Sequence, residues 1–191
     1  ALWECNRARL AERLMQAVRC TLLELLADPR RLGATPGLLM ALHTWGRTLS
    51  RHPHVHCLVT AGGVDPEGAW RATRAHWLAP VRVMQHLFRA KLLQPLWALL
   101  EHWTLPAGTT VDSWRQVLRA LWRAHFNVEV QPPYAHGRGV VLYLARYAKG
   151  GPLARKALHL CADGRVQFLY EDHRDGRTKT LSLAPADFIS R

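Results

Sequence analysis

His52-Pro53-His54-Val55-His56-Cys57-Leu58-Val59 is the stretch from which the rest of the chain is read. Alternate side chains of a strand share a face, so His54 and His56 project together while Val55 and Cys57 turn away. Two imidazoles about 7 Å apart along one strand face can grip one divalent ion. Leu58 and Val59 anchor the strand in a core, and Pro53 sets its start. The run Thr60-Ala61-Gly62-Gly63-Val64-Asp65-Pro66-Glu67-Gly68 carries turn chemistry and is expected to end the strand. Alone, a His-x-His pair is a weak signal, because surface histidines also pair by chance.

Upstream, Leu38 to Leu49 reads as a second strand and Ser50-Arg51-His52-Pro53 as a short connection, which makes residues 38–60 a hairpin. His43 lies on the partner strand. His52 is nearer in sequence, but it precedes the proline in the turn and is expected to point outward. Pairing register is not readable from sequence, so the third ligand stays open at this point.

A second signal is Tyr143-Leu144-Ala145-Arg146-Tyr147. Residues 139–149 read as a short helix stopped by Gly150-Gly151-Pro152. At roughly 100° per residue, Val140, Val141, Leu144, Ala145 and Ala148 form one apolar arc. Tyr143 and Tyr147 fall one turn apart at its edge, with Arg146 beside them. Taken alone, this spacing also fits two amphipathic tyrosines covering a core edge.

Together these motifs resemble the HUH endonuclease superfamily (His, hydrophobic residue, His), and within it the two-tyrosine rolling-circle transposases of the insertion sequence 91 family. The resemblance runs from about Leu23 to the C-terminus. It rests on Leu42-His-Thr-Trp-Gly-Arg-Thr-Leu49, His52 to Val59, Tyr143 to Tyr147, and Asp163-Gly-Arg-Val-Gln-Phe168. The first three blocks, in this order and spacing, are highly specific. Superfamily members often take a third metal ligand from upstream of the paired histidines, which makes His43 the candidate beside His54 and His56. Relatives carry a cysteine-rich zinc-binding segment ahead of this region. The chain opens at Ala1-Leu2-Trp3 without an initiator methionine, and is expected to be a fragment lacking that segment.

At 191 residues the chain suits one domain with a real core. Hydrophobic content of 49% argues for a globule and against disorder. Lys plus Arg total 26 against 14 acidic residues, net +12, which points to a polyanion: nucleic acid first, an anionic membrane surface second. Lysines are only Lys91, Lys149, Lys156 and Lys179, so arginine forks that match phosphate oxygens carry the charge. A GC-rich genome would enrich arginine too. Cys5, Cys20, Cys57 and Cys161 form no Cys-x-x-Cys pair and are expected to be reduced, mostly buried thiols. With no signal peptide and no apolar run of transmembrane length, the expected location is the bacterial cytoplasm, at the nucleoid.

The chain in order gives an α+β expectation: an antiparallel sheet carrying the His-x-His strand, with helices packed on it, the Tyr-x-x-x-Tyr helix among them. Residues 1–37 form a helical lead-in, with Leu10, Leu14, Ala17, Val18, Leu22 and Leu25 on one side of a helix over 6–27. Residues 80–125 form a helical insertion. Within it Pro95 is expected to break or kink the first helix, and Asp112 or Ser113 to cap the second. The tryptophans there are expected to be mostly core, though an exposed one can stack a base. Phe126 to Gln131 alternates cleanly and reads as a strand. Residues 132–139 form a loop, with Tyr134 and His136 as loop residues, into the tyrosine helix at 139–150. Residues 156–183 form a β-meander turning at Asp163-Gly164 and Asp175-Gly176, and a terminal helix follows.

The resemblance implies a single catalytic domain over 1–191 that cleaves single-stranded DNA at transposon ends and targets. A divalent metal, Mg²⁺ or Mn²⁺, would sit on His54, His56 and His43. Tyr143 or Tyr147 would attack, leaving a 5′-phosphotyrosine link, with the order of the two not assigned. Arg47, Arg51, Arg138, Arg146 and Lys149 are the expected DNA contacts. Membrane partners are not expected, and the oligomeric state is open. A relaxase or replication initiator shares this chemistry, and a non-catalytic DNA-binding remnant of a decayed element is the reading from another class.

Overall fold

The hairpin around the histidines forms, with shifted ends. The computed structural model describes residues 1–46, 48–73, 80–134, 136–149, 153, 157–172 and 175–190, apart from the side chains of residues 146–149. Strand β1 spans Thr35–Trp45 and β2 spans Arg51–Val64. They are neighbours in a three-stranded sheet of order β1-β2-β3, where β3 is Trp70–Ala72. The short β1–β2 connection admits only antiparallel pairing, since a parallel crossover takes about a dozen residues or more.

β1 begins at Thr35 rather than Leu38 and β2 at Arg51, inside the expected connection, and the other two boundaries shift for local reasons. β1 stops at Trp45 rather than Leu49, because the backbone turns where Gly46 N–H donates to the Ser50 carbonyl (2.7 Å) and Leu49 N–H to the Gly46 carbonyl (3.0 Å). Leu49 adopts φ +60°, a left-handed conformation that costs a non-glycine residue roughly 1–3 kcal/mol. Its side chain is nonetheless buried with Phe168 and Leu183, a gain of the same size, about 1.5–3 kcal/mol. Burial therefore holds the turn. At the other end β2 continues through Gly62 and Gly63 to Val64, antiparallel to β3 in the register Gly62↔Ala72, Gly63↔Arg71, Val64↔Trp70. A Cβ on Gly62 would meet the Arg71 carbonyl at 2.5 Å. These glycines are close-approach positions of a strand, and the turn falls later, at residues 65–68.

The chain divides into two compact units. The first comprises Ala1–Met40 and Cys57–Pro133, the second Ala41–His56 and Tyr134–Arg191. In the first unit, α2 (Arg7–Ala27) packs with α3 (Val81–Ala98) and α4 (Val111–Arg123). Leu10, Leu93, Leu96, Leu100, Trp103 and Leu118 form one buried cluster. Leu22, Leu25 and Met84 form a second, against Leu38, Cys57 and Val59 of the strands. A short helix, α1 (Leu2–Cys5), precedes α2. The buried Asn6 side chain between them donates to the carbonyls of Leu2 and Thr104 and accepts from Thr104 N–H. Helix α3 runs through Pro95 to Ala98. The cap of α4 is Thr110, reciprocally bonded with Ser113, so the sequence expectation was misplaced.

Residues 126–131 do not form a strand. Their alternation comes from Phe126 and Val128 packing into the two clusters without a ladder partner. Thiol burial was also overestimated: Cys5 is exposed and Cys20, Cys57 and Cys161 are half-buried, all four free.

The second unit holds the expected meander as an antiparallel sheet of β4 (Leu158–Leu160), β5 (Val166–Asp172) and β6 (Arg177–Leu183). Phe168 is its fully buried centre, between Leu49 and Leu183. Helix α5 (Gly137–Lys149) carries the tyrosines, and α6 (Pro185–Ile189) follows β6. The architecture is α+β, with antiparallel sheets and helices. Among the described residues no helix is long and apolar enough to cross a membrane.

Strand β5 offers a direct check on the second unit. Phe168→Ala should destabilise the protein by about 3–5 kcal/mol in urea unfolding, because it empties the centre of a core. Leu169→Ala, one residue on and half exposed, should cost less than about 1 kcal/mol. Equal effects would mean that β5 faces the core the other way.

Candidate metal centre

β-Strand alternation and the hairpin turn bring three imidazoles together. His54 and His56 leave the same face of β2, and His43 comes from β1. Ring centroids lie 4.9 Å apart for His54–His56, 4.6 Å for His43–His56 and 5.5 Å for His43–His54. One ligand nitrogen from each falls within 4.8 Å of the others. The side chains converge more closely than the strand repeat alone suggests: Nε2 of His54 and Nε2 of His56 are 3.1 Å apart. Nitrogens sharing one ion at about 2.1 Å each must lie within about 4.2 Å of one another, so this pair fits a common ion.

The surroundings prepare these nitrogens. Nδ1 of His54 donates to the His52 carbonyl at 2.6 Å, which leaves Nε2 of neutral His54 unprotonated and available to an ion, 3.1 Å from Nε2 of His56. That carbonyl is how His52 contributes; its exposed side chain is not in the three-histidine set. Trp45 stacks on His43 at 5.4 Å and 12° between planes. Desolvation, then the neighbouring His43 and His54, pushes His56 down to about 4, and desolvation also lowers His54. Both therefore stay neutral, as metal ligation requires, at ordinary pH. Next to them, burial pushes the Cys57 thiol up to about 11, which keeps it an inert thiol rather than a ligand.

Tyr143 reaches this cluster from α5, its ring centroid 6.3 Å from that of His56. Behind it stands Tyr134, 6.1 Å from Tyr143. A Cβ on Gly139 would meet the Tyr134 ring at 2.5 Å, so the missing side chain makes room for this tyrosine against the helix. Sequence reading left Tyr134 as a loop residue. The signal was Gly139, two residues beyond Gly137 in a helix otherwise filled with larger residues. Tyr147, Arg146 and Lys149 lie on α5 with Tyr143, but their side chains fall outside the described residues. Arg138 is exposed in the first turn of α5, and Arg51 is exposed at the start of β2. Arg47 lies outside the described residues.

With this geometry in view, the comparisons with known proteins decide the family. Residues 37–191 match the family model described as "Putative transposase". The chain belongs to this transposase family. It is 34% identical over 194 aligned positions to "Putative transposase y4qJ" of Sinorhizobium fredii, covering 97% of this chain and 49% of that protein. It is 36% identical over 169 positions to "Transposase for insertion sequence element IS801" of Pseudomonas savastanoi pv. phaseolicola, covering 87% of this chain and 41% of that protein. The transposase chain thus spans less than half the length of these curated relatives. No solved structure matches it.

Two measurements probe the site. Calorimetric titration with Mn²⁺ should give one site, weakened at least about tenfold by His54→Ala and by His56→Ala. Affinity contributed by His54 and His56 should persist below the usual imidazole range, because burial lowers both and pushes His56 down to about 4. Because the unfolded chain protonates its histidines first, near pH 6.5, the metal-free protein should lose stability over the same interval. A metal midpoint at or above pH 6.5 would contradict the depressed imidazoles. Separately, Gly139→Ala should displace Tyr134 and lower stability, whereas Gly139→Ala combined with Tyr134→Ala should recover part of the loss in thermal unfolding. An unperturbed single variant would show that the ring does not pack there.

Proposed function

We propose that residues 1–191 form the catalytic domain of a two-tyrosine HUH-type rolling-circle transposase, which cuts single-stranded DNA and transfers the cut strand. The observation that carries this is Tyr143 standing beside His56 of a three-histidine cluster. A phenol next to candidate metal ligands is what a nuclease with a tyrosine nucleophile requires, and membership of a transposase family supports it.

In this reading His43, His54 and His56 hold a divalent cation, Mg²⁺ or Mn²⁺. When bound, that cation supplies Lewis-acid stabilisation of the charge building on the scissile phosphate. Three imidazoles suit Mn²⁺ better than Mg²⁺. The hydroxyl of Tyr143 or Tyr147 loses its proton to solvent or a nearby base, and its oxygen attacks phosphorus. The bond from phosphorus to the 3′ oxygen breaks, the 3′-hydroxyl leaves protonated, and the 5′-phosphate remains on tyrosine. A 3′-hydroxyl of another strand reverses the step at the new junction, so no external energy source is needed. Two tyrosines one turn apart let one strand end stay bound while a second junction is attacked. A phenol with an ordinary pKa near 10 is a poor nucleophile at neutral pH, and Arg146 on the same helix is suited to favour the phenolate. Arg47, Arg51, Arg138 and Lys149 are the proposed phosphate contacts.

Incubation with single-stranded oligonucleotides and Mn²⁺, resolved on a denaturing gel, tests this. A covalent protein–DNA adduct should form, disappear with chelator, and be abolished in Tyr143→Phe/Tyr147→Phe. Tight DNA binding without any adduct would favour a non-catalytic DNA-binding module, and an adduct persisting in the double variant would remove the tyrosines from the mechanism.

A further inference from the structure

In the first unit, α3 and α4 enclose a cleft of about 290 Å³ lined by Gln94, Trp97, Arg119 and Trp122. It belongs to the helical insertion and shares no residue with the histidine site. Trp122 is half-buried against the Leu93–Leu118 core and forms a fixed aromatic wall. Trp97 is 38% exposed, so part of its ring faces solvent. The Arg119 guanidinium lies over its ring, 5.6 Å from the centroid. On α4, Arg115, Arg119 and Arg123 recur every four residues and form one column along the helix. Arg115 is held by Asp112 and Glu101. No ion pair joins Arg119 or Arg123 to a carboxylate among the described residues.

We propose that this cleft is a second nucleic-acid site, which receives one unpaired base of single-stranded DNA while Arg119 and Arg123 contact the adjoining phosphates. The chemistry is specific to that class. Indole faces stack any nucleobase, and a column of arginines beside them follows a phosphate backbone. The Gln94 amide offers one acceptor and two donors to a base edge. The volume sits at the small end of ligand sites and is enough for one base. A duplex hides its base faces in the stack, so only an unpaired strand can use the tryptophans. The net charge of +12 supplies the attraction that brings such a strand to the surface. The site rests on the single-strand function proposed above.

Fluorescence anisotropy with labelled oligothymidylate tests the site, with a duplex of mixed sequence measured alongside. Trp97→Ala should weaken single-strand binding by about 5- to 100-fold, and Trp97→Phe should recover most of it. Arg119→Gln should weaken binding and flatten its salt dependence. Duplex binding should change little with Trp97→Ala. Circular dichroism and the thermal unfolding midpoint should match the wild type and certify the fold of each variant. Wild-type single-strand binding with no loss in Trp97→Ala would overturn the cleft and leave the nuclease reading standing. Equal losses on single strand and duplex would overturn it too, since charge alone would then explain the binding. Absence of single-strand binding in the wild type would overturn both.

Discussion

The candidate site depends on one constraint, the tight reversal between β1 and β2. Gly46 and Ser50 close it with a backbone hydrogen bond, and Leu49 is driven into the left-handed region because its side chain has a core to enter. That reversal sets His43 of one strand against His54 and His56 of the other. A reversal displaced by one residue would turn an imidazole to the opposite face, since side chains alternate with period two. The core around Leu49 and Phe168 therefore helps to position the candidate metal centre.

Electrostatics complete what the backbone begins. Three imidazoles crowded together would repel one another if charged, and partial burial adds to that cost. Burial and mutual repulsion hold His54 and His56 neutral, and the His52 carbonyl selects the tautomer for His54. A site that resists protonation in the metal-free protein is already in the state that metal binding demands. Tyr143, between His56 and Tyr134, brings a phenol close to that cluster.

The helical insertion follows a different logic. Its inner faces build a leucine and tryptophan core, yet one tryptophan is left half in solvent under an arginine. If single-stranded DNA is its partner, as proposed, arginine is the cation best matched to both phosphates and aromatic rings. Two units of one chain would then divide the work, with chemistry on the histidine unit and additional strand contact on the helical one.

Much of the site was legible in the chain itself. His54-Val55-His56 puts two imidazoles on one face because strand geometry leaves no alternative, and the expected helix around Tyr143 forms as α5 for the same kind of reason. The α+β class and the meander followed from turn residues at Asp163-Gly164 and Asp175-Gly176. Local rules failed where packing between distant segments decided the outcome. Phe126 and Val128 alternate like a strand but answer to two helical clusters, Gly62 and Gly63 look like a turn but admit a neighbouring strand, and Tyr134 finds its place only against Gly139. Whether His43 would reach the pair was a question of register, set by a buried Leu49 and a sheet hydrogen-bond pattern that no short window of sequence contains. Side-chain periodicity is a property of the chain; the distance between two strands belongs only to the folded molecule.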